Sequence, residues 1–211
     1  MANKKESPAI DFWEHQRKWE AEGYQAVCGI DEAGRGPLCG PVVAAAVILP
    51  MGAEIPGLND SKKLSEKKRE ALYDVILEKA LAWHVSFVDE KVIDEINILN
   101  ATFQAMHQAV DGLQIPADFA LVDGNRAKGF SIPTECVVGG DGKAACIAAA
   151  SILAKVSRDR FMIKMAEKYP EYGFEKHKGY GTKAHYQALE TYGVCPIHRK
   201  TFLKKFFQSH E

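Results

Sequence analysis

Apolar runs at 26–30, 42–49 and 119–122, together with the mixed segment 82–88, predict strands, and the first and last of these runs end on acids. Apolar residues spaced three and four apart predict helices at 10–22, from Ser65 onward, and at 96–110. Ser65-Glu66-Lys67-Lys68 supplies an N-cap, and Leu64, Leu72, Val75 and Ile76 supply the apolar stripe beside it. Gly140-Asp141-Gly142-Lys143 opens a long small-residue helix at 144–156, whose Ala-rich face permits close packing on a sheet. The last third is helical and is punctuated by Pro170, Gly173, the loop Lys178-Gly179-Tyr180-Gly181, Gly193 and Pro196. Strands mostly precede helices, so the fold class is α/β with a helical C-terminal lobe. The expected division is a core unit of residues 1–160 and a lobe of 161–211.

At 211 residues and 46% hydrophobic, the chain can bury a sizeable core as one domain with a small appendage. The first eight residues are polar and lack the apolar stretch of a signal peptide, and no apolar run approaches the ~20 residues that span a membrane. Cys28, Cys39, Cys136, Cys146 and Cys195 are odd in number and scattered, which predicts buried, reduced thiols in a cytoplasmic protein. No His-Glu-x-x-His pair is present, which argues against a zinc hydrolase. Net charge is -1. Its distribution is uneven: 143–211 carries 13 Lys and Arg against 6 Asp and Glu, and the remainder is acidic. That basic third reads either as a polyanion footprint or as a solvated helical face.

The densest candidate chemistry lies in Gly29-Ile30-Asp31-Glu32-Ala33-Gly34-Arg35-Gly36-Pro37. Adjacent acids at a strand end are usually just solvated. Here Gly34 and Gly36 offer positive-φ freedom and close backbone approach. The glycine spacing resembles a phosphate-binding P-loop, but Arg35 and Gly36 replace its Lys and Ser/Thr, and the acids would repel phosphate. A dinucleotide fingerprint fails at Pro37 and Cys39. Carboxylates beside phosphate make sense when a divalent cation lies between them. Asp123 ends a second strand and Asp141 starts a helix, so topology can gather them with Asp31 and Glu32. Oxygen-only ligands suit Mg²⁺ or Mn²⁺, and two such ions about 3.5–4 Å apart can serve phosphodiester hydrolysis. Asp31 and Glu32 cannot point the same way along a regular strand, so the strand is expected to twist or end there. Whether side-chain or backbone oxygens would meet the cation stays open.

With Gly40-Pro41-Val42-Val43, Asn59-Asp60-Ser61-Lys62-Lys63-Leu64, Leu121-Val122-Asp123-Gly124, Gly140-Asp141, Ala149-Ala150-Ser151-Ile152-Leu153-Ala154-Lys155-Val156, Arg158-Asp159-Arg160, His177-Lys178-Gly179-Tyr180-Gly181-Thr182 and Pro196-Ile197-His198-Arg199, the chain resembles bacterial type 2 ribonucleases H, the ribonuclease HII family. The resemblance runs from about residue 26 to 202. It implies an RNase H-like mixed sheet flanked by helices: a catalytic domain at 1–160, with its N-terminal helix, and a substrate-binding helical lobe at 161–211. It implies Asp31, Glu32, Asp123 and Asp141 as metal-binding catalytic acids with Mn²⁺ or Mg²⁺. By the same resemblance, Gly34, Arg35 and Gly36 read the 2′-hydroxyl and Tyr180 packs at the RNA–DNA junction; Lys62, and Lys178 in the basic third, are the expected phosphate contacts.

Asp159, between Arg158 and Arg160, reads as a helix-surface ion pair instead of a ligand, and Asp60 as a turn cap. Leu203, Phe206 and Phe207 have the spacing of a sliding-clamp peptide but lack its Gln, and that spacing more often closes a core. The expected activity is hydrolysis of the RNA strand of RNA–DNA hybrids, with cutting 5′ of single ribonucleotides in duplex DNA. The rivals are another RNase H-like metal-dependent nuclease, such as a junction resolvase or exonuclease, and a non-catalytic hybrid-binding protein.

Overall fold

The computed structural model describes residues 10–208. Its five strands are β1 (Val27–Ala33), β2 (Val42–Ile48), β3 (Ala82–Val88), β4 (Phe119–Asp123) and β5 (Thr134–Val137), lying in the order β3-β2-β1-β4-β5. The first three form an antiparallel meander, and β4 and β5 run parallel to β1. All four expected strands are present. β5 is an edge strand exposing Thr134 and Cys136, so it has no apolar run to announce it.

The helices are α1 (Glu14–Ala21), α2 (Glu66–Lys79), α3 (Glu90–Asp111), α4 (Ala145–Lys168), α5 (Phe174–His177), α6 (Lys183–Tyr192) and α7 (Lys204–Gln208). α4 and α2 cover one face of the sheet through Val43, Ala45 and Val47, while α3 covers the other through Val42, Ala44, Ala46 and Ile48. β2 is therefore buried on both faces, which its unbroken apolar run requires. A Cβ on Gly29 would stand 2.2 Å from the Cys146 carbonyl carbon, so β1 and α4 touch backbone to backbone. The alanines of α4 allow that approach.

Two helices depart from expectation. α3 starts at an Asp89 cap and breaks at Asn97 (φ 66°), whose Oδ1 accepts from the amides of Leu99 and Asn100. The anticipated helix is the segment after this break; a shorter one precedes it. α4 continues to Lys168, well beyond residue 156, because the charged Arg158 and Asp159 are themselves buried. The expected boundary at 160/161 thus falls inside a continuous helix instead of a linker. Four of the five cysteines are buried and all are free, but Cys136 is exposed, contrary to the expected burial. Among the described residues, no helix is long and apolar enough to cross a membrane.

The C-terminal segments pack on the far end of α4 around Met162, Tyr172, Phe174, Leu189 and Leu203. Leu203 is buried there and Phe206 packs against the same cluster, so this segment does close a core; Phe207 is exposed. Two buried imidazoles sit in this lobe. The Cys195 amide donates to His198 Nδ1 (2.9 Å), leaving the His198 proton on Nε2, which donates to His185 Nε2 (3.0 Å). His185 in turn donates from Nδ1 to the Tyr180 carbonyl (3.0 Å). Burial holds both rings neutral and pulls each down to about 4, with Tyr172, His177, Cys39 and Cys195 as their titratable neighbours. Both lie below the ordinary value of 6.5, so below that pH the unfolded chain takes up protons that the folded chain refuses. Their contribution to stability is full above pH 6.5 and is lost as pH falls toward 4. In denaturant titrations over that range, His198→Asn should flatten the pH slope of stability; a slope equal to wild type would contradict the assignment.

Candidate active site

β1 and β4 run in parallel with Ile30 paired to Val122, so the next residues, Asp31 and Asp123, stand side by side at the carboxyl ends of the two strands. Asp141 arrives on the tight turn Gly140–Gly142 after β5. Carboxylate oxygens of these three acids lie within 4.8 Å of one another. β1 neither ends nor bulges at the acid pair but continues to Ala33. Strand alternation sends Asp31 to the α4 face and Glu32 to the α3 face. Glu32 lines the same cleft as Asp31 and Asp123, yet its carboxylate stands outside the group of three and pairs with Arg35 Nη1 at 3.3 Å.

Burial pushes the Asp31 carboxyl well above its ordinary range, and the charges of Glu32 and Asp123 add to this. A hydrogen bond from Ser151 and the Glu32 amide (2.7 Å to Oδ1) oppose it only in part. Burial also raises Glu32, against the pull of Arg35. Asp123 is raised by burial and by Asp141, although the Gly140 amide donates to its Oδ1 at 2.7 Å. Lys62 Nζ sits 2.9 Å from Asp141 Oδ2. Burial disfavours its charge, but Asp141, Asp31 and Asp60 more than offset this and push the ammonium up to about 12. Crowded carboxylates that one lysine does not neutralise, with oxygen as the only donor type, fit a hard divalent cation.

The glycine loop lies against this cluster. Gly34 adopts φ 96°, and a Cβ there would stand 2.1 Å from Arg158 Nε. Gly36, contrary to the expected positive-φ role, is absent from the left-handed residues; a Cβ there would meet the Tyr180 ring at 3.6 Å. Tyr180 is 46% exposed and shares the cleft with Gly34, Arg35, Gly36 and Lys62. Lys178 stands apart. Its ammonium donates to the Glu175 carbonyl and lies 3.7 Å from Glu66, while its backbone takes φ 49° and its carbonyl accepts from Arg158.

Asp60 caps the turn Ser61–Lys63 by accepting from the Lys62 amide. Asp159 corrects its expected role: it is buried, pairing with Lys155 at 2.8 Å and Arg69 at 3.9 Å. Neighbouring helix positions diverge, so Arg160 reaches Glu70 and Arg158 turns into the glycine loop. Ser61, Ser151, Lys155 and Arg158 also line the cleft and had no role assigned from sequence. The spacing of Ile147, Ser151, Ala154, Arg158 and Met162 along the buried stripe of α4 was the available signal for two of them.

Comparison with known proteins agrees with this geometry. The family profile described as Ribonuclease HII matches residues 28–209. A Ribonuclease HII of Endomicrobium trichonymphae is 59% identical over 193 residues, covering 91% of this chain and 92% of that protein. The crystal structure of ribonuclease H2 from Pyrococcus horikoshii OT3 superimposes with TM-score 0.72 at 28% identity, covering 88% of this chain and 98% of that one. The RNase HII in a PCNA:RNase HII complex from Archaeoglobus fulgidus superimposes with TM-score 0.68 at 25% identity, covering 83% and 94%. Clustered acids at two strand ends, an RNase H fold and this extent of identity converge: the chain belongs to the ribonuclease HII family and is a ribonuclease H, an endonuclease acting on the RNA of RNA–DNA hybrids.

Proposed function

We propose that the enzyme also cuts 5′ of single ribonucleotides embedded in duplex DNA, and that it does so in this cleft. The carrying observation is that the Gly34–Gly36 backbone and the exposed Tyr180 ring stand in one cleft with Asp31 and Asp123. A group able to sense a sugar thus lines the same cleft as groups able to serve its phosphate. Asp31, Asp123 and Asp141 are the residues that would hold cations, with Glu32 beside them. Two divalent ions, Mg²⁺ or Mn²⁺, supply charge stabilisation at the attacking and leaving oxygens when bound. Water attacks the phosphorus 5′ of the ribonucleotide and the P–O3′ bond breaks, leaving 3′-hydroxyl and 5′-phosphate ends. Lys62, beside Asp141, and Arg35, beside Glu32, would meet phosphate oxygens. Lys178 would reach phosphate only by leaving Glu66.

A sliding clamp is the weaker partner proposal. Of its three apolar anchors, Leu203 is buried and only Phe207 faces outward, so clamp binding would have to unpack the segment. A cytoplasmic location is supported by the five free thiols. The deciding assay incubates a labelled duplex holding one ribonucleotide with Mg²⁺ or Mn²⁺, beside an all-DNA duplex and a long hybrid. One cut, 5′ of the ribonucleotide, is expected. Cutting of the long hybrid alone would overturn the single-ribonucleotide reading, and equal cutting of all-DNA would favour another nuclease of this fold.

A further inference from the structure

Two arginines, Arg158 and Arg199, are fully enclosed, 1% and 0% exposed, and every hydrogen bond their guanidinium groups make ends on a backbone carbonyl. Arg199 donates from Nε to Gly40 (2.9 Å), from Nη1 to Pro37 (2.8 Å) and Arg35 (3.2 Å), and from Nη2 to Gly34 (2.6 Å). Arg158 donates to Pro41, Cys39 and Lys178 at 2.9–3.0 Å. Burial and the nearby Arg158 charge pull Arg199 down to about 9, so this is a costly place for a cation. A planar fork with five donors is what can gather several carbonyls of one irregular loop at once.

A trans peptide sets its C=O and the following N–H in opposite directions. The Gly34 and Arg35 carbonyls turn to Arg199, so the Arg35 and Gly36 amides turn away from it, and among the described residues neither amide has an acceptor. Further along the loop, the Leu38 and Gly40 amides are bound to the carbonyls of Gly179 and Ile197. His198, next to Arg199, ties this anchor through His185 to the Tyr180 carbonyl. Cys39 Sγ lies near both imidazoles, but the proton on His198 Nε2 already faces His185, which makes the group a strut instead of a cation site.

We propose that Arg199, assisted by Arg158, is a positioning residue that aims the Arg35 and Gly36 amide N–H groups into the cleft, where they meet the ribose hydroxyl. The proposal rests on reading this loop as the ribose sensor. Arg199→Lys keeps the charge and loses the fork. Ribose preference is measured as KM for a single-ribonucleotide duplex against Ki for an all-DNA duplex as competitor. Arg199→Lys should lower that preference about tenfold while Ki stays put. An unchanged preference, or KM and Ki rising together, would overturn it. Amide hydrogen exchange on the wild type covers a variant that fails to fold. The Arg35 and Gly36 amides should exchange fast in the free protein, those of Leu38 and Gly40 slowly, and only the ribonucleotide duplex should protect the first pair. Slow exchange of that pair in the free protein, or equal protection by both duplexes, counts against the proposal. If the wild type shows no ribose preference, the functional reading fails by itself, and the free-protein exchange pattern still decides whether the amides are presented.

Discussion

Asp31→Asn and Asp123→Asn should each lower kcat on a long hybrid by at least about a thousandfold, corresponding to ~4 kcal/mol of lost transition-state stabilisation. Each substitution keeps shape and removes one of the charges that make the three-carboxylate cluster attractive to a cation. The same substitution should stabilise the metal-free protein. Asp31 is held well above its ordinary pKa by burial and by the charges of Glu32 and Asp123, so the folded state holds this proton more tightly than the unfolded chain. A group of that sign supports folding at low pH and ceases to do so as pH rises through its folded pKa. At pH 7 to 8 in EDTA, Asp31→Asn should therefore melt above wild type, and Mg²⁺ should raise the melting temperature of wild type much more than that of the variant. Full cleavage by either Asn variant, or equal Mg²⁺ stabilisation of wild type and variant, would remove the cluster from the mechanism.

The parts of this site legible in the sequence are those fixed by local pattern. Apolar runs ending on Asp31 and Asp123 are local, whereas the parallel pairing that sets their strands side by side is a long-range contact. What local pattern cannot show is which way a side chain turns once the chain is folded. That Asp31 and Glu32 oppose each other on a regular strand follows from the sequence, but that β1 continues through them, leaving the Glu32 carboxylate on the other face against Arg35, does not. Asp159 and Arg158 look like surface charges; contacts with Pro41 and Cys39, 117 and 119 residues away in sequence, decide that Arg158 belongs to the glycine loop. β5 is an edge strand with little apolar face, and the break at Asn97 depends on one side chain capping a helix inside an otherwise helical pattern. Long-range contact, not composition, also accounts for Arg199, whose partners lie some 160 residues earlier.

Tyr180→Ala should reduce cutting at a single ribonucleotide by about 5- to 150-fold, the range expected for ~1–3 kcal/mol of ring contact by analogy with stacking on bases, and should affect long hybrids far less. The nucleotide after an isolated ribonucleotide is DNA, and its sugar lacks a 2′-hydroxyl, leaving an apolar face for a ring. In a long hybrid that face carries a hydroxyl instead. The Tyr180 ring is free to make such a contact: it is exposed, borders the space above Gly36, and its hydroxyl has no partner among the described residues. The loop itself is held through backbone groups, the Tyr180 amide donating to His177 and its carbonyl accepting from Thr182 and His185, so the loop does not need the ring to keep its shape. Tyr180→Phe should accordingly retain most cleavage of both substrates. Comparing kcat/KM for the single-ribonucleotide duplex and a long hybrid across wild type, Tyr180→Phe and Tyr180→Ala separates the two roles. Equal losses on both substrates in Tyr180→Ala would mean that the ring supports the loop, and a large loss in Tyr180→Phe would transfer the junction contact from the ring face to the hydroxyl.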